Sequence, residues 1–166
     1  VIAVGQSVIT GHQGRLGAKE MLLVPNAVPE FSAITLEKKK SIRRELVAES
    51  ESILLISVGR LSPPKGYFDL LSAFKRVARK HPNTHLMIVG GGDLFADLSA
   101  EIDSCGMVGR VHLLGQRNDV PELLMASDIY VSASHWEGLP IVILEALAAG
   151  LPIVATEVGD IPEVVV

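Results

Sequence analysis

Short runs of Val, Ile and Leu recur along the chain, separated by stretches in which apolar residues return every three or four positions. A short continuous apolar run marks a strand buried on both faces, and such strands belong to parallel sheets covered by helices. The strands predicted in this way are Val1 to Gly5, Met21 to Val24, Ile53 to Val58, His85 to Val89, Val111 to Leu114, Ile129 to Ser132 and Pro152 to Ala155. The clearest helix runs from Gly66 to Lys80. There Leu70, Leu71, Phe74, Val77 and Ala78 form one apolar stripe, with Asp69, Lys75, Arg76, Arg79 and Lys80 on the polar face. Further helices are expected near Lys38 to Glu49, Leu94 to Cys105, Val120 to Ala126 and Ile141 to Ala149. Alternation of this kind predicts an α/β fold, a doubly wound parallel sheet with helices on both faces. Pro25 to Ser32 is the most irregular stretch and reads as a hinge or linker, with breakers at Pro25, Asn26 and Pro29. Residues 1–24 would then be the end of a preceding domain, or a first β-α-β unit with its linker. Residues 25–166 would be the domain proper.

Composition narrows the partners. The 15 Lys and Arg against 19 Asp and Glu leave a net charge of -4, which argues against a nucleic-acid binder relying on a general positive field. The chain is 48% hydrophobic, yet no uncharged run approaches the roughly 18 apolar residues of a membrane-spanning helix. The single Cys105 excludes an intramolecular disulfide or a multi-cysteine zinc site and suits a reducing compartment. The opening Val1-Ile2-Ala3-Val4-Gly5 lacks the charged start of a signal peptide, and both ends read as cuts through a longer protein.

Ligands of doubly wound sheets bind at the carboxyl ends of the strands, and the loops there carry the candidate chemistry. Gly59-Arg60 and Lys65-Gly66 bracket a turn that opens a helix. An arginine fork, an ammonium and unpaired backbone N–H groups together favour a phosphate, while a merely solvated basic loop is the alternative. Gly90-Gly91-Gly92-Asp93 fails the G-x-G-x-x-G pattern because position 95 is Phe95, so these glycines are expected to serve a tight turn or a close approach. Glu137-Gly138-Leu139-Pro140 leads into a helix with Glu145 about five residues inside it, ~7.5 Å along the axis. A carboxylate among Ile, Val, Leu and Ala is costly unless something satisfies it. A pair of ligand hydroxyls would do so, as would a backbone cap or an arginine. His12, His81, His85, His112 and His135 show no metal-ligand spacing, and only His135 lies beside the Glu137 loop. Lys38-Lys39-Lys40-Ser41-Ile42-Arg43-Arg44 holds five of the 15 basic residues; it reads as a solvated helix face, or alternatively as a dock for acidic lipid headgroups.

Taken in order, these motifs resemble the donor-binding, C-terminal domain of group 1 retaining glycosyltransferases, which place two Rossmann-like domains in the GT-B arrangement. Val24-Pro25-Asn26-Ala27-Val28 is similar to the family's V-P-N-G-V, and Gly59-Arg60 with Lys65-Gly66 to its G-R…K-G. Glu137 and Glu145 are similar to its glutamate pair, and Gly150 to Thr156 to the G-x-P-V-V-A-T that follows. The resemblance covers essentially the whole chain. It implies Arg60 and Lys65 on the donor diphosphate, and Glu137 with the backbone of Gly138, Leu139 and Pro140 on the sugar. It implies Glu145 on the ribose and the backbone near Gln116 and Arg117 facing the base. Glu137, Arg60 and Lys65 are the residues expected to carry catalysis.

Ala27 in place of the usual Gly, and Gly159-Asp160 in place of a common Gly-Gly, depart from the pattern. The acceptor domain with its histidine and the closing C-terminal helix are not in this sequence. No Asp-x-Asp pair offers a metal site, so metal- and cofactor-independent chemistry is expected. The implied activity is retaining transfer of a sugar from a UDP-, GDP- or ADP-sugar to an unidentified acceptor in carbohydrate biosynthesis, with the protein cytoplasmic and, for a membrane-surface acceptor, peripheral at the inner membrane face. The rival readings are a nucleotide-binding module without turnover, a sugar-nucleotide epimerase or phosphorylase, and a dinucleotide oxidoreductase domain, which the failed glycine pattern disfavours.

Overall fold

The computed structural model describes residues 2–16, 22–46 and 51–165. Strand β1 (Ile2–Ala3), helix α1 (Gln6–Leu16) and strand β2 (Leu22–Leu23) come first, with β1 and β2 paired in parallel as a separate two-stranded sheet. After the irregular stretch follow α2 (Leu36–Leu46), β3 (Ile53–Val58), α3 (Tyr67–Lys80), β4 (Thr84–Val89), α4 (Phe95–Ser104) and β5 (Val111–Leu113). The remaining elements are α5 (Val120–Ala126), β6 (Ile129–Ser132), α6 (Ile141–Ala148) and β7 (Ile153–Ala155). Val1, Met21 and the predicted helical residues Val47 to Glu49 lie outside the described residues.

The main sheet has the order β5-β4-β3-β6-β7 with every pair parallel. The chain walks outward from β3 through β4 to β5, then returns to the other side of β3 as β6. Right-handed crossovers therefore put helices on opposite faces. One face packs Leu70, Leu71, Phe74 and Ala78 of α3 and Leu98 and Ile102 of α4 against Leu86, Ile88, Val111 and Val131. The other packs Ile42 of α2, Leu123 and Leu124 of α5 and Ile143 and Ala146 of α6 against Leu54, Ile56, Met87 and Tyr130.

Two expectations need correction. Val77, placed in the buried stripe of α3, is 38% exposed. The helix turns its apolar side through Tyr67, Leu70, Leu71, Phe74 and Ala78, leaving Val77 at the rim. The helices read from periodicity omit α1, which only the β-α-β reading of residues 1–24 implied, because Gln-Ser-Val-Ile-Thr-Gly-His-Gln-Gly-Arg-Leu has no amphipathic stripe and two interior glycines, each costing ~1 kcal/mol relative to alanine. Its first turn is anchored from outside: Asp160 accepts from the Ser7 N–H.

Within the basic run on α2, Arg43 is committed to structure. Arg43 donates to Asp128 Oδ2 (2.9 Å), to the carbonyl of Ala126 (2.9 Å) and to the carbonyl of Ser52, while Asp128 also accepts from Leu54 N–H (2.8 Å). Lys38 pairs with Glu122 at 3.0 Å and Lys40 with Glu37 at 3.8 Å. Arg43 thus ties α2 to the start of β3 instead of facing a partner. Among the described residues no helix is long and apolar enough to cross a membrane.

Candidate functional site

The strand order reverses between β3 and β6, and this switch point is where a doubly wound sheet opens a crevice at its carboxyl edge. Strand β3 runs into Gly59-Arg60, after which the fully buried Leu61 anchors the loop. Leu61 N–H donates to Gly91 O (3.0 Å), and its carbonyl accepts from Leu94 N–H (3.2 Å). Pro63–Lys65 make one 3-10 turn, and Gly66 at φ 62° starts α3. That left-handed step brings the Gly66 backbone so close to β6 that a Cβ there would lie 2.0 Å from Ala133 O. Gly90 answers the same need on the other side, since a Cβ on it would fall 1.9 Å from Gly59 O. Gly90 and Gly92 are thus required by close backbone packing, while Gly90 and Gly91 also line the cleft beside Arg60.

The loop after β6 is stitched to the loop after β3. His135 N–H donates to Pro64 O (2.8 Å), and His135 Nε2 sits 2.6 Å from Asp69 Oδ2. Glu137, with its side chain only 11% exposed, accepts from Lys65 Nζ at 2.6 Å and from the buried Ser134 hydroxyl at 2.7 Å, both on Oε1. The hydroxyls of Ser132 and Ser134 lie 3.2 Å apart and extend this polar line into the strand. The predicted residues Lys65 and Glu137 are thus brought into direct contact. Ser134 was missed by the sequence reading, although its place three residues before Glu137 in one tight loop is a usable signal.

Arg60 is exposed and lines a cleft of about 500 Å³ with Gly59, Gly90, Gly91, Gln116 and Arg117. The Arg117 guanidinium is turned aside into a two-pronged pair with Asp119, at 2.8 and 2.6 Å. That pairing lowers the Asp119 carboxyl and raises the Arg117 guanidinium. Gln116, Asn118 and backbone are then what this loop can offer a ligand. Glu145 is half-buried on α6, and burial pushes its carboxyl up. Among the described residues no hydrogen bond or ion pair reaches that carboxylate, and it does not line the cleft around Arg60. The arginine and backbone-cap alternatives for Glu145 are therefore not what the structure holds. The buried hydroxyls of Tyr67 and Tyr130 are pushed far above the ordinary phenol value, by burial first, with the Glu137 charge adding to both.

A second hollow, also about 500 Å³, lies between α3 and the β6–β7 side of the sheet, among Phe74, Val77, Ile129, Val131 and Val154. It is largely apolar, and one end of it reaches Ser132 and Ala133 at the start of the loop after β6. No group of three or more His, Cys, Asp or Glu side chains among the described residues is placed to hold a metal ion.

The fold and this edge define a Rossmann-like doubly wound domain of the kind that makes up one half of a GT-B enzyme. The profile described as "Glycosyl transferases group 1" matches residues 38–166, and the chain belongs to that family. It is 35% identical over 82% of its length to the Escherichia coli UDP-Gal:alpha-D-GlcNAc-diphosphoundecaprenol alpha-1,3-galactosyltransferase, covering 36% of that protein. It is 31% identical over 99% of its length to the Bacillus anthracis N-acetyl-alpha-D-glucosaminyl L-malate synthase, covering 43% of it. Among solved structures, Anabaena HepE in complex with UDP and glucose superposes on the whole chain with a TM-score of 0.89 at 27% identity; the chain covers 46% of that protein. The chain thus spans less than half the length of each of these relatives.

Proposed function

We propose that this chain is the donor-binding part of a retaining glycosyltransferase that moves a sugar from a nucleoside diphosphate sugar to an acceptor held by a facing domain. The observation that carries the reading is the meeting of Lys65 and Glu137 at the switch point, with the Arg60 cleft opening from the same β3 loop. Arg60, Lys65 and the N–H groups at the start of α3 supply positive charge where the leaving diphosphate develops negative charge, without a metal. Glu137 faces the sugar side, where a carboxylate favours the cationic character of a glycosyl transition state over the ground state. Lys65 would exchange part of its bond to Glu137 for phosphate, while Ser134 keeps hold of the carboxylate. Glu145 would gain in the ribose diol the donors it lacks. The UDP and glucose named with the HepE structure, and the UDP-Gal named in the E. coli relative, support a UDP-sugar as the first donor to try.

Arg60→Ala in the full-length polypeptide is expected to weaken UDP binding roughly 10–100-fold, the worth of one charge-assisted hydrogen bond, with uridine binding unchanged. Calorimetry with both ligands checks this, and an equal loss for uridine would remove Arg60 from the phosphate role. The 166-residue chain alone is expected to transfer no sugar, because orienting the acceptor against the anomeric carbon is worth ~7–11 kcal/mol of the barrier. Transfer by the isolated chain at a rate above donor hydrolysis would refute that.

A further inference from the structure

Asp160 stands where the family motif commonly has a second glycine, and the chemistry proposed above does not use it. It is 5% exposed, and among the described residues no cation pairs with it. Instead its two carboxylate oxygens accept from the backbone N–H and the hydroxyl of Ser7, at 2.7 and 2.8 Å. Ser7 lies in the first turn of α1, whose positive end favours an anion. The backbone N–H of Asp160 donates to Gly138 O at 3.0 Å. One residue therefore joins the start of α1 to the carbonyl next to Glu137. The surroundings leave room for that joint and for little else. A Cβ on Gly5 would fall 1.7 Å from Asp160 Oδ2, and a Cβ on Gly159 would fall 2.3 Å from Glu137 O. A parallel tie comes from Asn26, whose Nδ2 donates to Leu139 O at 2.8 Å. The loop bearing Glu137 is thus held by segments from the start of the chain as well as by its own strand and helix.

We propose that Asp160 is a positioning residue that couples the β1–α1–β2 unit to the Glu137 loop, so that the placement of the sugar-facing carboxylate depends on how that unit sits. The consequence for the sugar rests on the role given to Glu137 above; the coupling itself does not. A glycine at 160 can keep the backbone bond to Gly138 but loses both bonds to Ser7. An asparagine keeps an oxygen that can accept from the Ser7 N–H.

The test uses the full-length polypeptide with Asp160→Gly and Asp160→Asn. In Asp160→Gly, hydrogen exchange of the backbone amides at Ser7 and at residues 136–139 is expected to speed up about 10-fold or more, as local opening becomes easier. Asp160→Asn should recover part of the protection. Calorimetry should show UDP-glucose affinity falling several-fold in Asp160→Gly while UDP affinity stays within about 2-fold of wild type, since the nucleotide end lies at Arg60 and Gln116. Unchanged exchange at Ser7 and 136–139 in a folded Asp160→Gly would overturn the coupling. Equal losses for UDP and UDP-glucose would overturn the sugar-side consequence, because a merely structural residue affects both alike. A wild-type protein that binds neither ligand counts against the donor reading alone, and the exchange data still decide the coupling.

Discussion

Glu145→Gln is expected to raise the melting temperature at neutral pH and, in the same protein, to weaken UDP binding roughly 10–100-fold. The two effects share one cause. Burial lifts the Glu145 carboxyl above its ordinary value of 4.5, and no partner among the described residues offsets that burial. Between the ordinary and the raised value the folded state binds more protons than the unfolded state, so stability falls as pH rises through that window and the full penalty is present above it. Glutamine carries no charge and escapes the penalty. Below pH ~4 both states of the wild type are largely neutral at this position, and the two proteins should melt at nearly the same temperature. The ligand sees the reverse. Ribose hydroxyls supply what the fold leaves unsatisfied, and an amide accepts them less strongly than an anion. If Glu145 were a structural partner inside α6, its substitution would lower the melting temperature and affect all ligands alike. Melting curves across pH together with UDP titrations decide between the two. Unchanged UDP affinity in a folded variant would remove Glu145 from the ribose role.

Gly66→Ala should be the most destabilising single methyl addition in the loop after β3, and Gly106→Ala calibrates it. Both glycines have positive φ, 62° and 65°, so alanine at either costs about 1–2 kcal/mol for the left-handed conformation. Beyond that cost they differ. A Cβ at Gly106 meets nothing within 4 Å, whereas one at Gly66 would lie 2.0 Å from Ala133 O and 2.9 Å from its carbon. A backbone carbonyl cannot rotate away, so the β3 and β6 loops must part, and the Lys65–Glu137 contact parts with them. Urea denaturation should show Gly66→Ala losing at least ~2 kcal/mol more than Gly106→Ala, in the range of overpacked cores. Equal losses would show that the close approach at Gly66 contributes nothing.

Much of the domain was legible before its structure. The apolar runs at Ile53 to Val58 and Ile129 to Ser132 became β3 and β6 with the predicted bounds, because each is a short β-branched run bounded by turn residues, as a strand buried on both faces requires. The glycines and charged residues after those strands marked the loops that converge. Helix α1 left no periodicity signal, since its residues carry no stripe and its first turn is held by Asp160, more than 150 positions away. The inward turn of Arg43 was hidden for a similar reason, its partner Asp128 lying 85 positions further on.

The sequence by itself determined the strands and helices of the main sheet, the alternation that makes that sheet parallel, and the residue types available at each strand end. Tertiary structure alone decided which of those ends are neighbours. Lys65 and Glu137 are 72 positions apart and meet because β6 returns to lie beside β3. Hydrophobic periodicity records how deeply each segment is buried and is the same for any order of the strands. The order follows from crossover handedness and from how well the two faces pack, and those are properties of the assembled sheet.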